Sequence, residues 1–178
     1  MGAAALFLGR DRGRLRRHAD DGSATRCAAR ARELEVSKRL PYQGREITYV
    51  AARRGGAFHL YVVGDVECDF PMQRYDADVS TSVVAPAGAS IVVLTRAGET
   101  LVFVGSHDEG TRTYTIGLSS VLSLGRSYDV ETYDSERDAW QSTVIDSAIQ
   151  VHLLGLSIEP GGYRIISLRS ASAERDRG

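Results

Sequence analysis

Among the closely spaced carboxylates, four pairs are candidates for chemistry: Glu67 with Asp69, Asp76 with Asp78, Asp108 with Glu109, and Glu136 with Asp138. Two carboxylates held at a defined separation across a cleft hydrolyse glycosidic bonds, so such pairs are the first chemistry to weigh. Each pair falls in or beside a segment of turn residues, where Asp and Glu serve as solvated side chains. Asp76, Asp78 and Ser80 offer the oxygens a hard cation takes, but the stretch has neither the glycine nor the distal glutamate of an EF-hand loop. The four histidines, His18, His59, His107 and His152, lack the close spacing that puts two on one metal ion. Cys27 and Cys68 are too few for a disulfide scaffold or a four-thiolate zinc site and are expected to be unpaired. There is no Gly-x-Ser-x-Gly nucleophile turn, no phosphate loop and no paired-glycine dinucleotide fingerprint. The expectation is a chain with no catalytic residue, no metal site and no cofactor.

Aromatic residues are the better lead. Sugars are bound through the flat apolar faces of their rings on exposed aromatic side chains, while polar neighbours take the hydroxyls. Trp140 is the only Trp, and it follows the polar loop 134–139 just after Tyr133. Trp140 and Tyr133 are therefore the candidate carbohydrate-binding residues, on the condition that both rings reach solvent. The alternative is that Trp140 closes one end of the fold. Tyr49, Tyr61 and Tyr163 fall inside strand-like runs, where packing accounts for them.

The elements that would position these residues are strands. From residue 44 onward, apolar and β-branched runs of four to eight residues recur between turn residues at short, regular spacing, the signature of a sandwich or barrel. About ten strands are expected, over 46–52, 58–63, 79–84, 90–95, 101–105, 111–118, 127–133, about 142–146, 151–158 and 163–168. Tyr114, Ile116 and Leu118 sit two apart with Thr113, Thr115 and Gly117 between them, as a half-buried strand requires. By contrast, 91–94 and 101–104 are apolar throughout, which places them centrally with both faces covered. Short links favour antiparallel pairing, because parallel strands need long crossovers. The fold class expected is all-β, an antiparallel β-sandwich of about eight to ten strands.

Before position 40 the chain has a different character. Residues 1–40 hold ten basic and five acidic residues, a balance of +5, and the other 138 hold 12 and 18, a balance of -6, out of totals of 22 and 23. The 24–38 stretch has good helix formers and a weak apolar face, so this basic, Ala/Arg-rich segment is expected to be disordered or short-helical and outside the fold. The sandwich domain is expected over 41–170, with a polar tail at 171–178. The only continuous apolar run of the first segment, 3–8, is far short of a membrane span, and it precedes the arginines that a secretory signal would place first. With a formal charge of -1, bulk electrostatics favours neither a nucleic-acid nor a membrane partner.

Four stretches carry a family resemblance: residues 101–107 (LVFVGSH), 114–118 (YTIGL), 128–134 (YDVETYD) and 158–166 (IEPGGYRII). Together, over roughly residues 90–168, they resemble the C-terminal β-sandwich domain that follows the (β/α)8 catalytic barrel in many glycoside hydrolases, those of the α-amylase and retaining-glycosidase kinds included. Gly105-Ser106 departs from the asparagine that usually begins the turn there. The resemblance implies a non-catalytic accessory domain, a fragment whose partner is a (β/α)8 catalytic domain and which in some members also contacts polysaccharide. The catalytic carboxylates of such enzymes lie on the barrel, so no catalytic residue is carried over. Two alternatives stay open. A free-standing carbohydrate-binding module predicts solvent-facing Trp140 and Tyr133 rings, and an adhesion sandwich unrelated to sugars predicts neither these nor an exposed apolar patch where a barrel would dock.

Overall fold

A computed structural model of the chain describes residues 6–8, 15–17, 34–42, 45–66, 72–123, 126–145 and 153–170. The described residues form strands joined by turns, with a single 3-10 turn at Ser80–Ser82 and no α-helix. The all-β expectation is met, and the order of strands explains how.

Residues 89–106 fold into a hairpin of β8 (Ala89–Arg96) and β9 (Glu99–Ser106), turning at Ala97-Gly98. All eight residues of β9 are buried. Their alternate side chains feed two separate cores: Val102 and Val104 point into one, Leu101 and Phe103 into the other. Each such apolar side chain contributes roughly 1.5–3 kcal/mol of burial. That is why the uninterrupted apolar runs sit in the middle of a sheet.

This sheet has six antiparallel strands in the order β12-β11-β14-β9-β8-β7. Besides β8 and β9 it contains β7 (Ala77–Asp78), β11 (Tyr128–Asp134), β12 (Ala139–Ile145) and β14 (Tyr163–Ser170). On one face lies the antiparallel pair of β10 (Arg112–Gly117) and β13 (Leu153–Ile158), whose Tyr114, Ile116, Leu154 and Leu156 complete the first core. On the other lies a four-stranded sheet, β3-β4-β5-β6, made of β3 (Leu34–Tyr42), β4 (Arg45–Arg54), β5 (Ala57–Val63) and β6 (Met72–Tyr75). Its Val50, Ala52, Tyr61 and Tyr75 complete the second core. The sandwich thus has three β layers rather than two. The opposite face of the four-stranded sheet carries a further buried cluster of Ile47, Tyr49, Ala51, Leu60 and Val62. One pairing departs from the antiparallel rule: β5 and β6 run parallel. Arg74 of β6 holds the returning chain by hydrogen bonds to Asp65 and to the Val66 carbonyl.

Two sequence expectations are corrected. The stretch 34–38, expected to end a helix, belongs to strand β3, because residues 34–37 find register partners in β4 that a loosely docked helix would lack. The rest of that expected helix, 24–33, lies outside the described residues. Two further short strands in the basic segment, β1 (Leu6–Leu8) and β2 (Leu15–Arg17), pair antiparallel. The run 79–84 is not a strand. Asp78 accepts hydrogen bonds from the backbone N–H and hydroxyl of Ser80, curling the chain into the 3-10 turn, and Ser80 Oγ in turn accepts from the Val93 N–H.

A polar clamp joins the layers at one end. The Arg164 guanidinium is nearly buried and reaches Asp134 at 3.1 Å and Glu136 at 3.0 Å, while donating to the carbonyls of Tyr163 and Ser157. Glu136 also accepts the Glu159 N–H, fixing the Pro160-Gly161-Gly162 turn. A β-carbon at Gly162 would collide with that carboxylate, which gives the second glycine of the turn its physical role.

Candidate functional site

At the end of the second core, Tyr133 of β11 and Trp140 of β12 face each other in register. They are joined through the turn 135–138, which closes with Asp138 in the left-handed region at φ 49°. The two rings lie 5.6 Å apart between centroids, tilted by 54°. Only one of them reaches solvent: Trp140 is 41% exposed, and Tyr133 is buried. The condition that both rings reach solvent is thus met by Trp140 and not by Tyr133, whose hydroxyl is drawn inward by polar groups at the layer boundary.

Those groups come from the β11–β12 turn and from the four-stranded sheet. The Tyr133 hydroxyl donates to Asp138 Oδ1 at 2.5 Å and lies 3.3 Å from the Arg53 carbonyl, which also accepts from Tyr163. Asp138 Oδ1 accepts the Gly55 N–H at 2.7 Å, so the β4–β5 turn is tied to the β11–β12 turn. Gly55 and Gly56 make that tie achievable, since both adopt positive φ, which side-chain-bearing residues rarely take. The Gly55 N–H, followed by the Tyr133 hydroxyl, holds the Asp138 carboxyl below its ordinary range. Burial, followed by the hydrogen bond to Asp138 and then its charge, pushes the Tyr133 hydroxyl up.

Beneath Trp140 lies Arg54. Its guanidinium carbon is 5.3 Å from the Trp140 ring centroid and 5.6 Å from that of Tyr61, so the cation sits between two π faces. Arg54 Nη2 is 3.1 Å from His59 Nδ1. Arginine has donors only, which makes Nδ1 the acceptor and leaves the neutral ring's proton on Nε2. Burial, then the Arg54 charge, lowers the His59 pKa and favours that neutral form. Two buried atoms here have no hydrogen-bond partner, Arg54 Nε and the Tyr61 hydroxyl. Burial raises the Tyr61 pKa to about 12, keeping the phenol neutral.

Farther along the same core, Glu99 is buried. It accepts from Arg96 Nε at 2.6 Å and from Ser167 Oγ at 2.7 Å, with Arg169 Nε at 3.4 Å. Burial pushes its pKa up, but the Ser167 hydroxyl, Arg96 and Arg169 together outweigh burial and bring it below the ordinary value.

The remaining candidates from the sequence are dispersed. Asp76 accepts the Ala97 N–H, and Asp78 is committed to Ser80. Asp108 is bound by the Tyr114 hydroxyl at 2.8 Å and Arg112 at 3.0 Å. Glu136 belongs to the Arg164 clamp and Asp138 to the Gly55 tie. His107 Nε2 lies 2.6 Å from Ser90 Oγ in an exposed setting. Glu67, Asp69, His18, His152 and both cysteines lie outside the described residues. Among the described residues, no group of three or more His, Cys, Asp or Glu could hold a metal ion. The arrangement centred on Trp140 offers a flat, partly exposed indole backed by a cation, with the Asp138 carboxylate at its margin. Its chemistry is stacking and hydrogen bonding.

Residue spacing did not bring out Arg54, Asp138, Tyr61 or Glu99 as members of these networks. For Arg54 the only signal is its place beside the Gly55-Gly56 turn, which reads simply as the end of a strand.

No protein-family model and no curated protein matches the chain. Similar solved structures include a candidate alpha-N-acetylgalactosaminidase from Bacillus halodurans, at 13% identity and a TM-score of 0.37. Another is alpha-galactosidase I from Mortierella vinacea, at 10% identity and a TM-score of 0.35. The matches cover 51% and 50% of this chain but only 19% and 23% of those proteins, so the chain spans less than a quarter of either.

Proposed function

We propose that this chain is a non-catalytic β-sandwich accessory domain of a glycoside hydrolase, associated with a (β/α)8 catalytic domain and contacting polysaccharide through Trp140. The exposed Trp140 ring carries the reading: it is seated on the Arg54 guanidinium above buried Tyr133, with its outer surface open to a sugar. Tyr133 serves in this reading as the support that fixes the indole, tethered by Asp138, rather than as a second stacking surface. The strand-by-strand resemblance over residues 90–168 supplies the accessory-domain part of the reading.

Affinity electrophoresis through a panel of polysaccharide gels, comparing wild type with Trp140→Ala, tests the sugar contact. Retardation of the wild type and at least tenfold weaker binding by the variant are expected. Equal retardation of the two proteins would remove Trp140 from any sugar site. Sequencing the DNA upstream of the start codon tests the accessory role, for which a reading frame encoding a barrel is expected.

A free-standing carbohydrate-binding module is the second reading. Of the two rings it predicts to face solvent only Trp140 does; what favours it over a docked domain is the scarcity of exposed large apolar side chains, which among the described residues are Val84 and Trp140 alone. A docked barrel would ordinarily leave a larger apolar patch.

A further inference from the structure

Strand edges expose unpaired N–H and C=O groups, and proteins blunt them with charge, proline, bulges or shortness. Most edges here are blunted in those ways. At the far side of the six-stranded sheet, β7 has two residues. In the four-stranded sheet, β3 contains Lys38 and Pro41 and breaks register between Ser37 and Leu40, and β6 has four residues including the salt-bridged Arg74. In the two-stranded layer, β10 begins at Arg112, and β13 carries Gly155 and gives its Ser157 carbonyl to Arg164.

The other edge of the six-stranded sheet is different. β12 (AWQSTVI) has seven residues, with no charge, proline or glycine, and holds seven consecutive register pairs with β11 without a bulge. Among the described residues it pairs on one side only. Residues 139–142 are exposed without interruption, and Trp140 is one of the two exposed large apolar side chains among the described residues.

We propose that β12 pairs antiparallel with β12 of a second copy of this chain about a two-fold axis at Ser142, making one continuous twelve-stranded sheet. A two-fold contact needs a segment complementary to itself. In this register Ser142 lies opposite itself, Gln141 opposite Thr143, Trp140 opposite Val144 and Ala139 opposite Ile145. No like charges oppose each other, whereas a strand carrying even one central Lys or Glu would set two equal charges face to face. The neutral composition therefore selects a second copy over a charged partner. A contact of one strand edge is small, which places the dimer in the weak, concentration-dependent class. The partner approaches from the side of the sheet and sets its Val144 beside Trp140, so the contact borders the proposed sugar platform and its test is made without sugar.

Sedimentation velocity on the full chain across roughly 1–200 µM is the first measurement. The mass is expected to move from 19.3 kDa toward twice that value as concentration rises, and Ser142→Lys is expected to weaken the association at least tenfold. Directly opposed residues of an antiparallel pair have Cα atoms about 4.5–5.5 Å apart, within disulfide range. S142C is therefore expected to form a covalent dimer on mild oxidation, with the linked S142C–S142C peptide identified by mass spectrometry, and V84C, on an exposed loop, is not. The S142C arm stands even where S142K lowers stability. A wild type that stays monomeric throughout the range, a dimer indifferent to S142K in folded protein, or a failure of S142C to cross-link to itself would each overturn the proposal.

Discussion

Removing Arg164 tests the view that the polar clamp, and not only the apolar cores, holds the layers in place. Its guanidinium is 9% exposed and serves two carboxylates and two carbonyls. Arg164→Ala would leave the nearly buried Asp134 with only the exposed Arg137 at 3.7 Å as a cation, and removing one partner of a buried ion pair costs about 3–5 kcal/mol. Two facts place the expected loss at the low end. Asp134 keeps backbone N–H groups from Glu136 and Arg137, and the Glu136 side chain is 28% exposed and partly solvated. A loss of about 3 kcal/mol, at about 2–4 °C per kcal/mol for a chain of this size, lowers Tm by about 6–12 °C. The exposed pair Arg74–Asp65, at a similar 2.9 Å, is the control. Asp65→Asn is expected to cost less than about 1 kcal/mol because solvent screens the pair. Calorimetric melting of the two variants beside wild type measures the contrast. A Tm for Arg164→Ala indistinguishable from that of Asp65→Asn would refute the reasoning, because burial of the pair would then have no energetic consequence.

Tyr61→Phe removes a buried hydroxyl that bonds nothing, so it is expected to stabilise the chain by about 1 kcal/mol in urea unfolding; a loss of that size would reveal a partner for the hydroxyl. Glu99 has a folded pKa below its ordinary value of 4.5. Its contribution is therefore complete above that pH and is lost as pH falls through the folded value. Urea midpoints of wild type and Glu99→Gln are expected to differ most near neutral pH and to converge in acid, and a gap that widens in acid would contradict this sign.

Much of the sheet framework was legible from local pattern. The two-residue alternation of Tyr114, Ile116 and Leu118 marks a strand covered on one face, and the solid apolar run of β9 marks one covered on both. Both readings rest on side chains alternating across a strand, a property of neighbouring residues. The failures are equally physical. The helix expected over 24–38 came from helix propensity, which a long-range ladder to β4 overrides across 34–37. The run 79–84 looks like a strand by composition, yet Asp78 and Ser80 satisfy the backbone locally and end the extended conformation.

The candidate site divides along the same line. Sequence by itself determined that this chain is built of strands, which runs lie innermost, and that its one Trp stands next to a turn beside Tyr133, because these follow from residue type and spacing a few positions apart. Tertiary structure alone decided that Trp140 faces solvent while Tyr133 is buried, and that Arg54, 86 positions before Trp140 in the chain, supplies the cation beneath it. Those outcomes depend on which sheet packs on which. Such contacts arise from burial of apolar surface between distant segments, and no local spacing encodes the partner.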